Sequence, residues 1–207
     1  MSKQVILMPT PANTRGVYAI GAHTGALTAT LATNHILFSF QWTNATHYAV
    51  MDYFDLSVAV LGEITTGVVM GLQLLPVRDY FNPYTGGTDL FNVPATDPQM
   101  KMKSNFPLSL AADIRIATVG ELSLPLVPGT EDSQPIADVI FGIGNGTDTA
   151  TTPLPKTILY KRETNSFPFV MDTNEGLDLV VSRDGPATGT LIVGVNMRWL
   201  ECTKATF

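Results

Sequence analysis

Apolar residues at every second position are the feature that most constrains the fold of this chain. The segments 36–42 (ILFSFQW) and 191–199 (LIVGVNMRW) both alternate in this way, and each ends in a tryptophan. Because successive side chains of a strand point to opposite faces, each segment predicts a β-strand with one buried and one partly exposed face. We interpret the two apolar rows as the facing walls of one core, closed by Trp42 and Trp199.

Shorter segments with the same character recur along the chain and are separated by Gly- and Pro-containing turns. The further predicted strands are 24–31, 47–61, 66–75, 113–119, 136–142, 156–160, 167–171 and 177–183. Many short strands without a long amphipathic helix indicate an all-β fold, here an antiparallel β-sandwich that is jelly-roll-like. The turn DGPATG, 184–189, joins two of these strands, so the sequence predicts a long hairpin near the C-terminus.

One segment breaks the strand rhythm within an otherwise uniform chain. The 207 residues fit one sandwich domain spanning 1–207, and no change of composition marks a second domain. Segment 76–112 contains five prolines and few clear strands, so we predict a long Pro- and Gly-rich excursion. Because loops of this length tend to be functional, the excursion is a possible interface element. Its candidate contact residues are Tyr80, Phe81, Tyr84 and Phe91.

Composition narrows the classes of partner. Charged residues make up 14% of the chain, against about 25% in an average soluble domain, so its surface is easily buried against other subunits. The net charge is −6 and no basic run occurs, which disfavours direct binding to nucleic acid. No apolar run reaches the length of a membrane span. The short apolar stretch at 5–8 stops at Pro9, so no signal peptide is predicted and we expect cytoplasmic assembly.

No residue pattern indicates catalysis. His23, His35 and His47 lack the close spacing that is typical of zinc sites, although together they could hold a metal. Asp52 and Asp55 are separated by an odd number of positions, which places them on opposite faces of a regular strand and disfavours a carboxylate pair. The single cysteine, Cys202, is interpreted as a small apolar residue.

Two further motifs could hold an ion, but each has a simpler interpretation. GIGNGTD at 142–148 lacks the Lys-Ser/Thr of a phosphate loop, so a flexible loop is favoured. MDTNEGLD at 171–178 offers oxygen ligands for calcium but departs from the full loop pattern, so a tight turn is favoured. No enzyme activity, cofactor or metal is predicted. The oxygen-bearing residues in question are Asp172, Asn174, Glu175 and Asp178.

Three blocks of the chain stand out: FSFQWTNATHYAVMDYFDLSVAV at 38–60, DIRIATVGELSLPLVP at 113–128 with DSQPIADVIFG at 132–142, and NEGLDLVVSRDGPATGTLIVGVNMRWLE at 174–201. Together they resemble a loose family of small proteins encoded near the head genes of tailed bacteriophages. The blocks cover about half of the chain and contain turn and core residues. Gln41 stands where the family pattern has arginine, and segment 76–100 is not part of that pattern. The matching residues are Phe40, Trp42, Thr43, Ala45, Thr46, Asn174, Glu175, Gly176, Pro186, Ala187, Thr188, Gly189 and Trp199.

The resemblance implies a virion protein. Within that class we expect a capsid decoration (cement) protein that binds the exterior of the head, is assembled in the host cytoplasm and stabilises the shell. Its partners would be the major capsid protein and copies of itself, in a homotrimer or homodimer. The alternatives are a major coat protein, a tail or baseplate protein, or a host-attachment protein. A soluble enzyme or a carbohydrate-binding module is a third class. The carbohydrate-binding module would need exposed aromatics such as the four in the excursion, whereas packing of these four onto the sandwich is the favoured interpretation.

Overall fold

The structure, a computed structural model, places fourteen strands and no α-helix among the residues that it describes. These residues are 14–28, 31–65, 67–80, 82, 84–90, 101–103, 105–111, 113–118, 122, 130–131, 134–143, 152–153, 156–163 and 168–204. The strands are β1 (Thr14–His23), β2 (Leu27–Thr28), β3 (Ile36–Trp42), β4 (His47–Val60), β5 (Val68–Arg78), β6 (Thr88–Asp89), β7 (Asp113–Ile116), β8 (Thr130–Glu131), β9 (Ala137–Ile143), β10 (Thr152–Pro153), β11 (Thr157–Lys161), β12 (Val170–Met171), β13 (Glu175–Arg183) and β14 (Thr190–Thr203).

The strands form two antiparallel sheets that pack face to face. In the first sheet the order is β1-β14-β4, with β10, β11 and β12 pairing along the far side of β4 and β2 pairing with the end of β14. In the second sheet the order is β6-β7-β3-β13-β5, with β8 and β9 pairing along β5. The prediction of an all-β sandwich is therefore confirmed.

The long strands follow the jelly-roll order. Eight strands form the body: β1, β3, β4, β5, β9, β11, β13 and β14. Counted along the chain, the first sheet pairs the first, eighth, third and sixth of these strands. The second sheet pairs the second, seventh, fourth and fifth. This arrangement is a double Greek key in which the two sheets share one core.

The predicted C-terminal hairpin is wrong. Strand β13 pairs with β3 and β5 in the second sheet, whereas β14 pairs with β1 and β4 in the first. The turn at 184–189 therefore crosses from one sheet to the other. Local spacing could not reveal this, because each run finds its hydrogen-bond partners in distant segments instead of in its sequence neighbour.

Aromatic side chains from the two sheets meet in the core. The rings of Phe40 on β3 and Trp199 on β14 pack edge to face with centroids 5.2 Å apart. Tyr18 of β1 stacks on the other side of Trp199 at 5.7 Å, and Phe38 meets Phe54 at 5.8 Å. The interpretation of the two alternating segments as facing walls of one core is thus confirmed.

Strand β1 was not among the predicted strands. Gly16 and Gly21 interrupt its apolar pattern, so that Tyr18 and Ile20 do not stand out as a buried row. Its nine-residue register with β14 instead gives it its place at the edge of the first sheet. The neighbouring segment 24–31 was predicted as a strand. Within its described residues the strand is Leu27–Thr28, and residues 29–30 lie outside the described part.

The outer face of the second sheet is covered over β3, whereas Val69 of β5 and Ile140 of β9 on the same face are 51% and 52% exposed. All seven residues of β3 are buried, including Leu37, Ser39 and Gln41 on the side that was expected to be partly exposed.

Part of the cover is the excursion, whose described residues Tyr80 and Tyr84 lie against this face. The predicted residues 76–78 belong to β5, so the excursion begins at 79. Strand β7, directly after the excursion, extends the second sheet by pairing with β3.

A buried carboxylate holds the start of the excursion against the second sheet. Asp178 of β13 accepts hydrogen bonds from Tyr80 Oη at 2.5 Å and from Tyr84 Oη at 2.6 Å. Ser39 Oγ lies 3.0 Å from the same Tyr80 hydroxyl. Burial, followed by the charge of Asp178, raises the pKa of Tyr80 well above its usual value, so this hydroxyl remains a donor.

The Asn-Glu-Gly motif makes room for this contact. A Cβ atom at Gly176 would lie 2.0 Å from the Phe40 carbonyl oxygen and 2.8 Å from the Tyr80 ring. Asn174 just before it has a positive φ of 62°, which a tight turn requires and which asparagine tolerates. Only glycine at 176 lets β3 and the Tyr80 ring approach β13 so closely.

We predict that Asp178→Ala lowers the free energy of unfolding by about 2–4 kcal/mol, because two buried tyrosine hydroxyls lose their acceptor. Urea denaturation followed by circular dichroism measures this change. Asp138→Ala is the matched control, since Asp138 is exposed and accepts a hydrogen bond from Ser182 Oγ at 2.9 Å. A loss below 1 kcal/mol for Asp178→Ala would show that the buried carboxylate does not hold the excursion.

Candidate functional site

A β-bulge in β4 brings two acidic residues to the outer face of the first sheet. Tyr53 pairs with Arg198 and Met51 pairs with Trp199, so Asp52 has no partner residue of its own on β14. The extra residue shifts the alternation by one position. Asp52 therefore joins Asp55 on the outer face, and the prediction that these two residues lie on opposite faces is wrong.

Asp52 lies between two arginines. Its Oδ1 accepts a hydrogen bond from Arg162 Nε at 2.9 Å, and its Oδ2 accepts one from Arg198 Nε. The Arg162 backbone N–H also donates to the Asp52 carbonyl oxygen at 2.9 Å. The side chains of Asp52 and Arg162 are 12% and 16% exposed and that of Arg198 is 40% exposed, so the Arg198 guanidinium reaches solvent while the carboxylate is largely buried.

A second group of polar side chains continues along β4. Asp55 is fully buried and accepts a hydrogen bond from Asn196 Nδ2 at 2.8 Å, while Lys156 Nζ lies 2.7 Å from its other oxygen. The Tyr53 ring lies between the two groups, with the Arg198 guanidinium 5.7 Å and the Lys156 ammonium 5.6 Å from its centroid. Each acid is thus paired with a cation.

These groups open onto two adjoining grooves. The larger groove, about 360 Å³, contains the Arg162–Asp52–Arg198 triad; we call it the arginine groove. A second groove of about 330 Å³ lies across Met102 and Arg198, which line both. The arginine groove is lined by Thr14, Val17, Asp52, Met102, Lys103, Phe106, Arg162, Arg198 and Leu200.

The excursion forms one wall of the arginine groove because it runs along the free edge of β1. The Met102 backbone N–H donates to the Val17 carbonyl oxygen at 3.0 Å, and Lys101 forms a β-bridge with Tyr18. These contacts also cover an edge that would otherwise present unpaired backbone groups. Lys103 lies over the Phe106 ring at 5.8 Å, on the rim of the groove.

A second buried carboxylate anchors this wall. Glu201 of β14 is fully buried, and its Oε1 accepts hydrogen bonds from Ser109 Oγ at 2.6 Å and from the Leu110 backbone N–H at 2.8 Å. Its Oε2 accepts a hydrogen bond from Arg15 Nη1 at 2.7 Å. Burial and then the Glu201 charge raise the pKa of the neighbouring Tyr18 to about 12.

Two of the four candidate contact residues of the excursion, Tyr80 and Tyr84, are buried. Tyr80 and Tyr84 are 1% and 2% exposed, so they bind Asp178 instead of presenting rings to a partner or a sugar. Phe81 and Phe91 lie outside the described residues. The exposed apolar residues of the excursion within the described chain are Met102 and Leu108, at 51% and 53%.

Among the residues that the structure describes, His23, His35 and His47 do not come together in a group that could hold a metal. The segment 171–178 forms a tight turn in which the Glu175 N–H donates to the Asp172 carbonyl oxygen at 3.0 Å. The carboxylates there are used by the protein: Asp172 binds Lys204, and Glu175 Oε2 lies 2.6 Å from Arg78. The tight-turn interpretation is therefore confirmed. The loop 142–148 lies outside the described residues beyond Ile143.

Cys202 is buried on the outer face of the first sheet beside Val50 and Leu200. Burial raises the pKa of its thiol, which disfavours the nucleophilic thiolate. This agrees with its interpretation as a small apolar residue.

Sequence reasoning missed the arginine triad because its members are 36 to 146 positions apart and only the sheet pairing brings them together. The one signal was the pair Lys161-Arg162, the densest basic cluster of the chain. The bulge that turns Asp52 outward has no marker such as glycine in the surrounding sequence, VMDYFD.

Comparison with known proteins assigns no family. No protein-family model matches the chain, and no curated protein matches it. Within the described segments there is also no helix with the length and apolar character that a membrane crossing requires.

We predict that the wild-type protein loses stability relative to Tyr18→Phe as the pH rises from 10 to 12. A folded-state pKa of about 12, against 10 when unfolded, stabilises the fold fully below pH 10, and this contribution is lost as the pH rises through 12. The stability difference between the two proteins should shift by about 2 kcal/mol across this range.

Urea denaturation at pH 8, 10 and 11.5, with absorbance at 295 nm to follow tyrosinate, measures this shift. At pH 8 the variant should be slightly less stable, because it loses the hydrogen bond from Tyr18 Oη to the Pro107 carbonyl oxygen at 3.1 Å. A stability difference that is constant with pH would contradict the assigned environment of Tyr18.

Proposed function

We propose that this protein is a structural component of a virus particle, a decoration (cement) protein that binds the outside of a tailed-phage head and stabilises it. The observation that carries the proposal is the eight-stranded jelly-roll order of β1 to β14. Capsid proteins are one of the large classes built on this fold, together with lectins and cupins. The fold supports the proposal by analogy. The choice between capsid proteins, lectins and cupins rests on the charge and side chains of the surface.

The charge supports a position on the exterior of the head. With a net charge of −6, the protein would be repelled by packaged DNA and carries no basic surface run that could replace its counterions. Its low content of charged residues reduces the cost of burying surface against a shell. The proposed partners are the major capsid protein and further copies of this chain.

The chemistry of the grooves favours binding over catalysis. Asp52, the acid that lines the arginine groove, is paired with cations, and so are the buried Asp55 and Glu201 nearby. These ion pairs occupy the carboxylate oxygens that a general acid or base would need for contact with a substrate. The sugar-binding alternative loses two of its four aromatic candidates, because Tyr80 and Tyr84 are buried.

Immunogold labelling of intact particles from the phage that encodes this chain tests the proposal. We expect regular labelling over the head exterior and a fixed ratio of this protein to the major capsid protein in purified particles. Labelling confined to the tail or baseplate would favour the other virion roles. Absence of the protein from purified particles would overturn the proposal.

A further inference from the structure

The arginine groove has donor groups that the fold does not use. Arg162 and Arg198 each bind Asp52 through Nε. Among the described residues, neither guanidinium has a further hydrogen-bond acceptor for its terminal Nη groups. A guanidinium donates through five N–H groups in a planar fork, and its terminal pair matches a carboxylate. Since Asp52 holds both arginines in place, little side-chain freedom would be lost when an acceptor binds.

The charge in this groove is opposite to that of the whole chain. Arg162, Arg198 and Lys103 contribute three positive charges, and Asp52 contributes one negative charge. The groove is therefore cationic on a protein whose net charge is −6. Charge complementarity therefore favours an occupant that carries an acidic group. A second copy of this acidic chain would fit only if one of its acidic side chains entered the groove.

Apart from Thr14, the remaining lining is apolar. Val17 and Leu200 form the floor, and Met102 and Phe106 of the excursion form one side. Met102 is 51% exposed and separates the arginine groove from its neighbour of about 330 Å³. An inorganic anion would use the guanidinium groups alone, whereas two adjoining grooves of this size accommodate several side chains. The shape thus favours an extended segment with both acidic and apolar residues.

We propose that the arginine groove binds an extended peptide segment of a partner protein through an Asp or Glu carboxylate that pairs with Arg162 and Arg198. Apolar side chains flanking that acid contact Met102 and Phe106. The inference rests on the proposed function in one respect: the partner would be the shell protein. Arginine, methionine and aromatic residues are the types that are enriched at such interfaces.

NMR titration with a blocked tripeptide, N-acetyl-Leu-Glu-Leu-amide, tests the proposal directly. We expect saturable chemical-shift changes of the Arg162 and Arg198 Nε–H signals, and added salt should lower the affinity of the peptide. The glutamine analogue, N-acetyl-Leu-Gln-Leu-amide, should bind about tenfold more weakly, because it lacks the charge-assisted hydrogen bonds. Equal binding of the two peptides, or shifts confined to other residues, would overturn the proposal.

Variants locate the binding. Arg198→Gln should weaken binding of the glutamate peptide about tenfold, and Met102→Ala, at an exposed position, about threefold. Arg183→Gln is the matched control, since this exposed arginine ends β13 on the other sheet and its loss changes the net charge equally. Thermal unfolding of each variant confirms that it is folded. Unchanged binding by both Arg198→Gln and Met102→Ala would contradict the site.

Particle binding separates this inference from the proposed function. If the Arg198→Gln variant binds phage heads as well as the wild-type protein does, the proposed function stands and the arginine groove is not the surface that contacts the shell. If the wild-type protein binds the glutamate peptide through both arginines but never occurs on particles, the groove stands and the proposed function fails.

Discussion

The fully buried carboxylate of Glu201 is the interaction on which most of the structure depends. A charge taken out of water must be paired and hydrogen-bonded, or the fold does not tolerate it. Glu201 meets this requirement with Arg15 from the first strand and with Ser109 and Leu110 from the excursion. This one carboxylate on β14 therefore holds together the first strand, the last strand and the excursion. It also places the excursion along β1, where Met102 completes the arginine groove.

Asp178 is a second buried carboxylate, on the opposite sheet, and it is hydrogen-bonded by tyrosines instead of being paired with an arginine. Its two tyrosine donors hold the start of the excursion flat against β3 and β13, so this outer face becomes core-like. The outer face of the first sheet keeps partly exposed charged groups around Asp52. The outer face of the second sheet is thus covered over β3 and β13 and partly exposed over β5 and β9. The outer face of the first sheet carries the unused guanidinium donors, and there we seek a partner.

Particular residues show how far sequence reasoning reached. The rows ending in Trp42 and Trp199 were correctly predicted as facing walls of one core, because a strand's alternation is a local property. The prediction of a hairpin around 184–189 was wrong, since the flanking strands pair with strands that are distant in the sequence. Tyr80 and Tyr84 were proposed as contact residues. Their aromatic character could not indicate that Asp178, about a hundred positions away, would bury them.

The sequence by itself determined the class of fold, the inward-facing rows of β3 and β14, and the tight turn at 172–175. These follow from side-chain alternation and from turn chemistry within a few residues. Only the tertiary structure decided the jelly-roll strand order, the path of the excursion and the assembly of the arginine groove. The physical reason is the same for all three. Buried carboxylates and unpaired strand edges are satisfied by partners far along the chain, and a single bulge at Asp52 reversed the face that its spacing implied.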